Sequence, residues 1–496
     1  MAKKAEERDL SEQFIAKMNA CRPKKEAKKD GTRNGTIRVV LSDDEVLGEI
    51  KYVLRVGIDP FDELTNGFPF GRISEVFGLE NCGKTALMMR TMARFCAKHI
   101  YEVVSHRAFD YELKRVNPKK VKLIKCYVDN EHSIDKGRKL TMTDITYDAE
   151  GKEITERAYW EKVAVEEADT IEQVFQSLDY FLAIIKAEEK AILDDTPEGE
   201  EPDTLVFGLF IVDTVAGTSS KDEINREWGE RDFPRAAGKI SEGFRRLTNE
   251  VARHNVAAIF TNQVRTKFQE KTGGGYTVKF STPQETDFST YGGKALSFYA
   301  THRVFMFQIP VKYVLIQGEQ FAAGYLVGFR TCKNRLGAPM RESRMALVFD
   351  QEKGGLHNRL SLLESMIFLR VAELHKDGSI SFLFRKHGIE TTTFAENVKL
   401  DEPEGKKGRS KKVEDPEIEG RYQWLAFHRA HRADLDKLWT FALERAKTIR
   451  GLDDNYEPTP EELDQAGAEG EDNDPEPRLH RRKPKSVPGI SDEDLT

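Results

Sequence analysis

The chain has 496 residues, long enough for about three units of ~150 residues or for one large domain with appendages. Lys plus Arg number 77 and Asp plus Glu 84, a net charge of −7 that excludes a uniformly basic, histone-like chain but leaves room for a local basic surface. The hydrophobic fraction of 39% suffices for a sizeable core and is low enough to predict polar tails, and no stretch approaches the ~20 apolar residues of a membrane span. The five cysteines, at 21, 82, 96, 126 and 332, form no CxxC pair. They argue against a disulfide framework or a zinc site and for a reducing, cytoplasmic setting. Met1 to Arg8 lack the apolar stretch of a secretory signal.

Residues 1–38 hold 11 Lys or Arg and 6 Asp or Glu, a local +5. Within this arm Ser11 to Cys21 fits a short amphipathic helix with Phe14, Ile15 and Met18 on one face. A frayed terminus and a helix that docks on another subunit are both open readings. From Gly35 to Asp350 short apolar runs alternate with helical patterns. Ile73–Phe77, Leu123–Asp129, Phe207–Asp213, Val256–Thr261 and Arg303–Gln308 are predicted as buried strands, and Thr85–His99 and Ile171–Lys186 as helices. Thr170 and Gln173 form a capping box ahead of the second helix. Strands alternating with helices predict a mostly parallel sheet covered on both faces. Val311–Gln317, Gly324–Cys332 and Met345–Phe349 predict an antiparallel extension.

Two insertions are expected: a surface hairpin within 140–162, around Thr146 to Ile154, and a solvated loop at 186–203, where 8 acids outnumber 2 lysines. Residues 356–450 read as a smaller mixed unit split by a basic linker at 402–412. Trp424, Leu425, Leu435, Leu438, Trp439 and Leu443 are its candidate core near the end. His428 and His431 lack further ligands in the sequence and read as surface histidines. From Asp453 to Glu476 there are 11 acids and no Lys or Arg, a composition that cannot bury enough apolar surface to fold alone.

Gly78-Leu79-Glu80-Asn81-Cys82-Gly83-Lys84-Thr85 matches G-x-x-x-x-G-K-[ST] in full, entered by a strand and left by a helix. Glycines let the backbone curl so that successive N–H groups point at a phosphate, and the helix N-terminus adds partial positive charge. Lys84 supplies an ammonium to the β and γ phosphates and Thr85 a hydroxyl to Mg²⁺. The apolar run Phe207 to Val212 ends in Asp213, which reads as the second Mg²⁺ residue. Glu131 follows the strand that ends at Asp129, at the sheet edge where ligands bind. It reads either as a surface turn carboxylate or as the base that deprotonates an attacking water. Gln263 ends another strand and could sense the γ-phosphate. Residues 264–292 then combine Gly, Thr and Lys with Phe268, Tyr276, Phe280 and Phe288. Basic residues with interleaved aromatics suit single-stranded nucleic acid, whose phosphates they neutralise and whose bases they stack.

On these motifs the chain resembles the RecA recombinase family, in a divergent, phage-type form, from about Gly35 to Asp350. The phosphate loop is similar to GPESSGKT, and Val128 to Asp135 to IDAEHALD. Asp169 to Gln173 is similar to DTGEQ, and Ile211 to Ala216 to VVDSVAA. Thr261 to Lys267 resembles INQIRMK, Gly292 to Ala300 resembles GGNALKFYAS, and Cys332 to Pro339 resembles VKNKIAAPF. The resemblance implies an α/β fold: a RecA-type P-loop ATPase core with a mostly parallel central sheet at 51–355. Around it come an N-terminal oligomerisation arm at 1–50, whose Gly35–Leu41 looks like a linker strand between subunits, a small C-terminal α+β domain at 356–450 and a disordered acidic tail at 451–496.

The same resemblance implies Glu131 as catalytic glutamate, Gln263 as allosteric glutamine, and Lys333 and Arg335 as cations reaching a neighbouring subunit's γ-phosphate. Gly78 to Thr85 would hold ATP, Thr85 and Asp213 would hold Mg²⁺, and Asp135 is the position left to contact adenine. Two loops would contact DNA. The first carries Arg226, Arg231 and Arg235 and is followed by Arg245 on a helix; the second carries Arg265, Lys267, Lys271, Tyr276, Lys279 and Phe280. The implied activity is DNA-dependent ATP hydrolysis coupled to strand exchange in recombination and repair. It would take place in a helical filament on single-stranded and double-stranded DNA, with single-strand-binding or mediator proteins as further partners. The setting would be the cytoplasm of a bacterial or phage-infected cell. A hexameric RecA-fold helicase and an ATP-gated filament accessory protein with little turnover are the rival readings.

Overall fold

The computed structural model describes residues 49–107, 110–117, 120–132, 146–147, 153–154, 163–224, 235–266, 288–316, 319–348, 355–375, 380–389, 397–398, 428 and 431–447. The arm before Glu49, the linker at 402–412, Trp424, Leu425 and the acidic tail lie outside the described residues. Strands β1 (Tyr52–Leu54), β2 (Phe68–Pro69), β3 (Arg72–Gly78), β4 (Ile100–Arg107), β5 (Asp110–Arg115) and β6 (Val121–Asp129) are followed by β7 (Thr146–Tyr147), β8 (Glu153–Ile154), β9 (Ala164–Glu166), β10 (Leu205–Asp213), β11 (Val256–Thr266) and β12 (Phe288–Thr290). Then come β13 (His302–Ile316), β14 (Glu319–Asn334), β15 (Glu342–Val348) and β16 (Gly355–His357). The helices are α1 (Asp59–Thr65), α2 (Lys84–Ala93), α3 (Ile171–Asp195), α4 (Arg235–Val251), α5 (Ala295–Tyr299), α6 (Asn358–Phe368) and α7 (Arg432–Lys447), with short helical turns besides.

The central sheet runs β16-β15-β14-β13-β3-β11-β10-β6-β9, with β12 paired on β11. From β13 to β9 every pairing is parallel; from β13 to β16 the pairings are antiparallel. The sheet is therefore mixed and largely parallel, with the antiparallel extension on one side. β10 shows why it is covered on both faces: Val206 to Asp213 are all buried. Phe207, Leu209 and Ile211 join the cluster that holds Leu87, Met88 and Met92 of α2. Val206, Phe210 and Val212 join the one that holds Val174 and Leu178 of α3 and Phe244 of α4. A period of two thus feeds two cores from one strand.

Several boundaries differ from the sequence expectation. Helix α3 continues to Asp195, so the acid-rich stretch after Lys186 is helical and only 196–203 form the loop. Its Glu, Lys, Ala and Leu are strong helix formers, and Glu188 and Glu189 find partners in Lys122 and His254. Helix α2 stops at Ala93, with a separate 3₁₀ turn at Ala97–His99. The strands expected at Arg303–Gln308 and from Val311 onward are one strand, β13, described as far as Ile316, whose register shifts between Gln308 and Val311, where Pro310 has no N–H for the ladder. The hairpin expected near Thr146 forms as β7 and β8. Unforeseen is the hairpin β4–β5, which completes a four-stranded sheet, β2-β1-β4-β5. Its Tyr101, Val103, Tyr111 and Leu113 pack on buried Ile50, Val53 and Leu336.

Beyond β16, three short strands, β17 (Ala372–Leu374), β18 (Ile380–Phe382) and β19 (Asn397–Val398), form a small sheet. Leu435, Leu438, Trp439 and Leu443 of α7 are buried, in the same cluster as α2. His428 is buried as well, against the surface position expected for it. No helix among the described residues is long and apolar enough to cross a membrane.

His302 opens β13 with no exposed surface, and neither ring nitrogen has a hydrogen-bond partner among the described residues. Burial holds its pKa down at about 3, against about 6.5 in an unfolded chain. Between these values the unfolded state binds a proton that the folded state does not, so stability falls as pH falls through that window. His302→Leu should remove on the order of 1 kcal/mol per pH unit of acid sensitivity between about pH 6.5 and about pH 5. Urea midpoints across that range check it. An unchanged slope would place the proton uptake elsewhere.

Candidate active site

β3 delivers the chain to the phosphate loop at Gly78, and α2 leaves from Lys84. Both glycines are required by geometry. A Cβ on Gly78 would meet the Met306 carbonyl oxygen at 2.1 Å, and Gly83 has a φ of 84°. The curl leaves the α2 N-terminus facing a cavity of about 330 Å³. Residues 80–86 line it on one side, with Glu131, Gln263, Tyr325 and Leu347 completing the wall. Lys84 Nζ donates to the carbonyls of Leu79 at 2.7 Å and Gly78 at 3.2 Å, so its ammonium is held over the loop. Tyr325 and Leu347 are cross-strand partners on β14 and β15, and burial raises the Tyr325 phenol to about 12, keeping its proton on at neutral pH.

Asp213 ends β10 level with Asp129 of β6. Both of its oxygens are fixed by hydroxyl donors from flanking strands: Thr261 Oγ1 to Oδ1 at 2.6 Å and Tyr127 OH to Oδ2 at 2.9 Å. Burial first, and then Asp213, push the Tyr127 pKa well above its ordinary value, so it remains a donor. A cis peptide joins Asp213 to Thr214. Neither Tyr127 nor Thr261 was identified from the sequence as supporting the site. The available signal is a hydroxyl on each strand flanking β10, level with or close to the end of β10.

β11 continues past Gln263 to Thr266, against the strand end expected there, and Gln263 Nε2 donates to Glu131 Oε1, just beyond β6, at 2.7 Å. Partial removal from water raises the Glu131 pKa, Asp213 raises it further, and the Gln263 amide and Lys84 oppose the rise. Gln263 stands level with Gly78 in the β11–β3 pairing. Lys84, Thr85, Glu131 and Gln263 therefore gather on one cavity, which gives Glu131 a place beyond that of an isolated surface turn.

Lys333 and Arg335 are not in that cavity. Lys333 Nζ donates to the carbonyls of Phe298 at 2.9 Å and Ser297 at 3.2 Å. Arg335 is exposed, and its carbonyl accepts from Tyr111 OH at 3.0 Å. Of the residues expected to meet DNA, Arg245 is exposed on α4. Arg235 begins α4 and Arg265 lies near the end of β11. Asp135, Arg226, Arg231, Lys267, Lys271, Tyr276, Lys279 and Phe280 lie outside the described residues.

The loop fits a nucleotide triphosphate: its glycines admit close backbone approach and its lysine sits at the helix start. Thr85 and Asp213 are the oxygen donors that would hold Mg²⁺, a hard cation that takes its remaining ligands from phosphates and water and neutralises their charge. The fold and this loop are those of the α/β P-loop class. Residues 204–354 match the family described as RecA N-terminal domain. That match contains Asp213, Gln263, Lys333 and Arg335, while the phosphate loop and Glu131 precede it. The chain is similar to Protein RecA of Chlamydia trachomatis serovar L2, 27% identical over 285 residues, which are 58% of this chain and 60% of that one. Protein RecA of Aquifex aeolicus is 27% identical over 286 residues, 58% and 61% of the two chains. For that of Thermus aquaticus the figures are 28% over 287 residues, 57% and 62%. The chain is thus distantly similar to the RecA family, and it spans about 60% of the length of the curated relatives it matches.

Proposed function

We propose that this protein is an ATP-dependent DNA recombinase that forms filaments on single-stranded DNA and catalyses homologous pairing and strand exchange. One observation carries the reading: the phosphate loop and the Lys333–Arg335 turn lie at different levels and on different strands of one sheet. Lys333 pairs with Arg303, and Arg303 with Glu75, three residues before Gly78. At about 3.3 Å per residue that is roughly 10 Å along β3, and β14 lies two strands to the side. Lys333 and Arg335 do not line the cavity that holds Lys84, whereas a second copy stacked head to tail would bring its own pair of cations to a triphosphate there. Phe298, whose carbonyl holds Lys333, is 75% exposed and offers such a contact an apolar anchor.

In that shared seam Glu131 takes a proton from the attacking water, and the neighbour's Lys333 and Arg335 stabilise charge on the transferring phosphoryl group. Gln263 lies between the γ-phosphate position and the segment after β11. Nucleotide state and DNA binding therefore influence each other, as linkage requires. The basic and aromatic residues of the two loops neutralise phosphates and stack bases.

The test is a strand-exchange assay with ATP, read beside electron micrographs of the same samples. The wild type should exchange strands and form helical filaments. Lys84→Ala should lose exchange and nucleotide binding together, by about a hundredfold or more. Closed rings that unwind duplexes without exchange would overturn the reading in favour of a helicase.

A further inference from the structure

One buried carboxylate has no part in the chemistry above. Glu75, midway along β3, has no exposed surface. Such a group is costly unless paired and hydrogen-bonded, and both of its oxygens are engaged. Asn262 Nδ2 donates to Oε1 at 3.2 Å and Arg303 Nε to Oε2 at 2.5 Å. The partners come from β11 and β13, the two strands that flank β3.

Each partner leads to a different part of the site. Asn262 immediately precedes Gln263, and its Nδ2 also donates to the Tyr291 carbonyl at 3.1 Å. The Tyr291 N–H in turn meets the Gln263 carbonyl at 3.4 Å. These bonds close the root of the β11–β12 ribbon, between whose strands the second candidate DNA loop runs. Tyr291 OH donates to the Thr218 carbonyl at 2.9 Å, on the chain that leads from Asp213 to the first loop. The roots of both loops therefore share one tyrosine. On the other side, Arg303 stands opposite Lys333 in the β13–β14 pairing, its guanidinium 4.4 Å from the centre of the Phe77 ring. Removal from water lowers the Lys333 pKa, Arg335 and Arg303 lower it further, and Glu75 opposes them.

We propose that Glu75 is a positioning residue that ties the roots of both DNA loops to the Lys333–Arg335 turn, so that the state of the subunit seam reaches the loops through Asn262 and Tyr291. The inference rests on the function proposed above. Glu75→Gln keeps the shape of the side chain and an acceptor for Asn262, and replaces the oxygen that accepts from Arg303 with an amide N–H₂, so that it removes both the charge and the hydrogen bond that hold Arg303. The variant should bind nucleotide as the wild type does and keep DNA-free ATP turnover within about twofold, while the stimulation by single-stranded DNA falls about tenfold or more. Arg303→Gln should lose a similar share, and the double variant little more than either alone, because both cut one connection.

A role in stability alone gives another pattern: DNA-free and DNA-stimulated turnover fall by the same factor, and the two substitutions add. That pattern overturns the proposal. If Glu75→Gln does not fold, Tyr291→Phe carries the test, since it deletes one hydrogen bond of the same chain. It should lower DNA stimulation about threefold and spare DNA-free turnover, and an equal loss of both rates overturns the proposal. A wild type that DNA does not stimulate overturns the recombinase reading and this inference with it. A stimulated wild type beside an unaltered Glu75→Gln overturns this inference alone.

Discussion

Arg335→Ala should lower DNA-stimulated ATP turnover by about a thousandfold, the range seen when a cation supplied across an interface is removed, equivalent to roughly 4 kcal/mol of transition-state stabilisation. Nucleotide binding to the dilute protein should not change, because Arg335 lies away from the cavity that holds Lys84. Its side chain is exposed, so the substitution removes charge with little loss of packing. Lys333→Ala is a less clean variant, since the ammonium also holds the Ser297 and Phe298 carbonyls. Mixing gives the sharpest measurement. Arg335→Ala retains a phosphate loop, and Lys84→Ala retains the cations. Turnover should return when the two inactive proteins are combined, at seams where each contributes its intact half. A mixture as inactive as its components would show that the cations do not act across a seam.

Glu131→Gln should bind ATP normally and hydrolyse it about a hundredfold to ten-thousandfold more slowly. The amide keeps an oxygen to accept from Gln263 but cannot take the proton of a water molecule. The pH dependence provides a second readout. A group that acts as base is inactive when protonated, so the rate falls as pH drops through its pKa. Partial removal from water and the nearby Asp213 raise that pKa, so the acid limb of the wild-type profile should lie above the ordinary glutamate value of about 4.3. In Glu131→Gln this limb should vanish from the residual rate. Single-turnover hydrolysis at a series of pH values measures both effects. A variant that keeps the wild-type rate would remove Glu131 from the chemistry.

The elements read well from the sequence are those in which one physical demand dominates. Phe207 to Asp213 is apolar throughout because β10 is covered on both faces, and Gly78 and Gly83 are fixed by close contact and by backbone angle. The elements read poorly are those in which tertiary partners decide. Tyr101 to Arg107 and Asp110 to Arg115 are largely polar, and they form strands because β1 offers an edge and Leu336 needs cover. The acids after Lys186 read as a solvated loop, yet they are helical on residues of high propensity, with Lys122 and the His254 ring as partners alongside. The site followed the same division. Lys84, Asp213 and Glu131 stand out one residue at a time. The hydroxyls that hold Asp213, and the Glu75 cluster, become visible only once strand register brings distant residues level.

The separation of the phosphate loop from the Lys333–Arg335 turn within one chain has a kinetic corollary for the proposed assembly. A contact built from two different patches never uses up both on one molecule, so growth need not stop at a dimer. A polymer built as proposed would have two unlike tips, one offering an unmatched triphosphate pocket and the other an unmatched pair of cations. Elongation rates at the two tips should differ. A subunit crippled in only one patch would act as a one-sided terminator, poisoning a single direction of growth at substoichiometric dose.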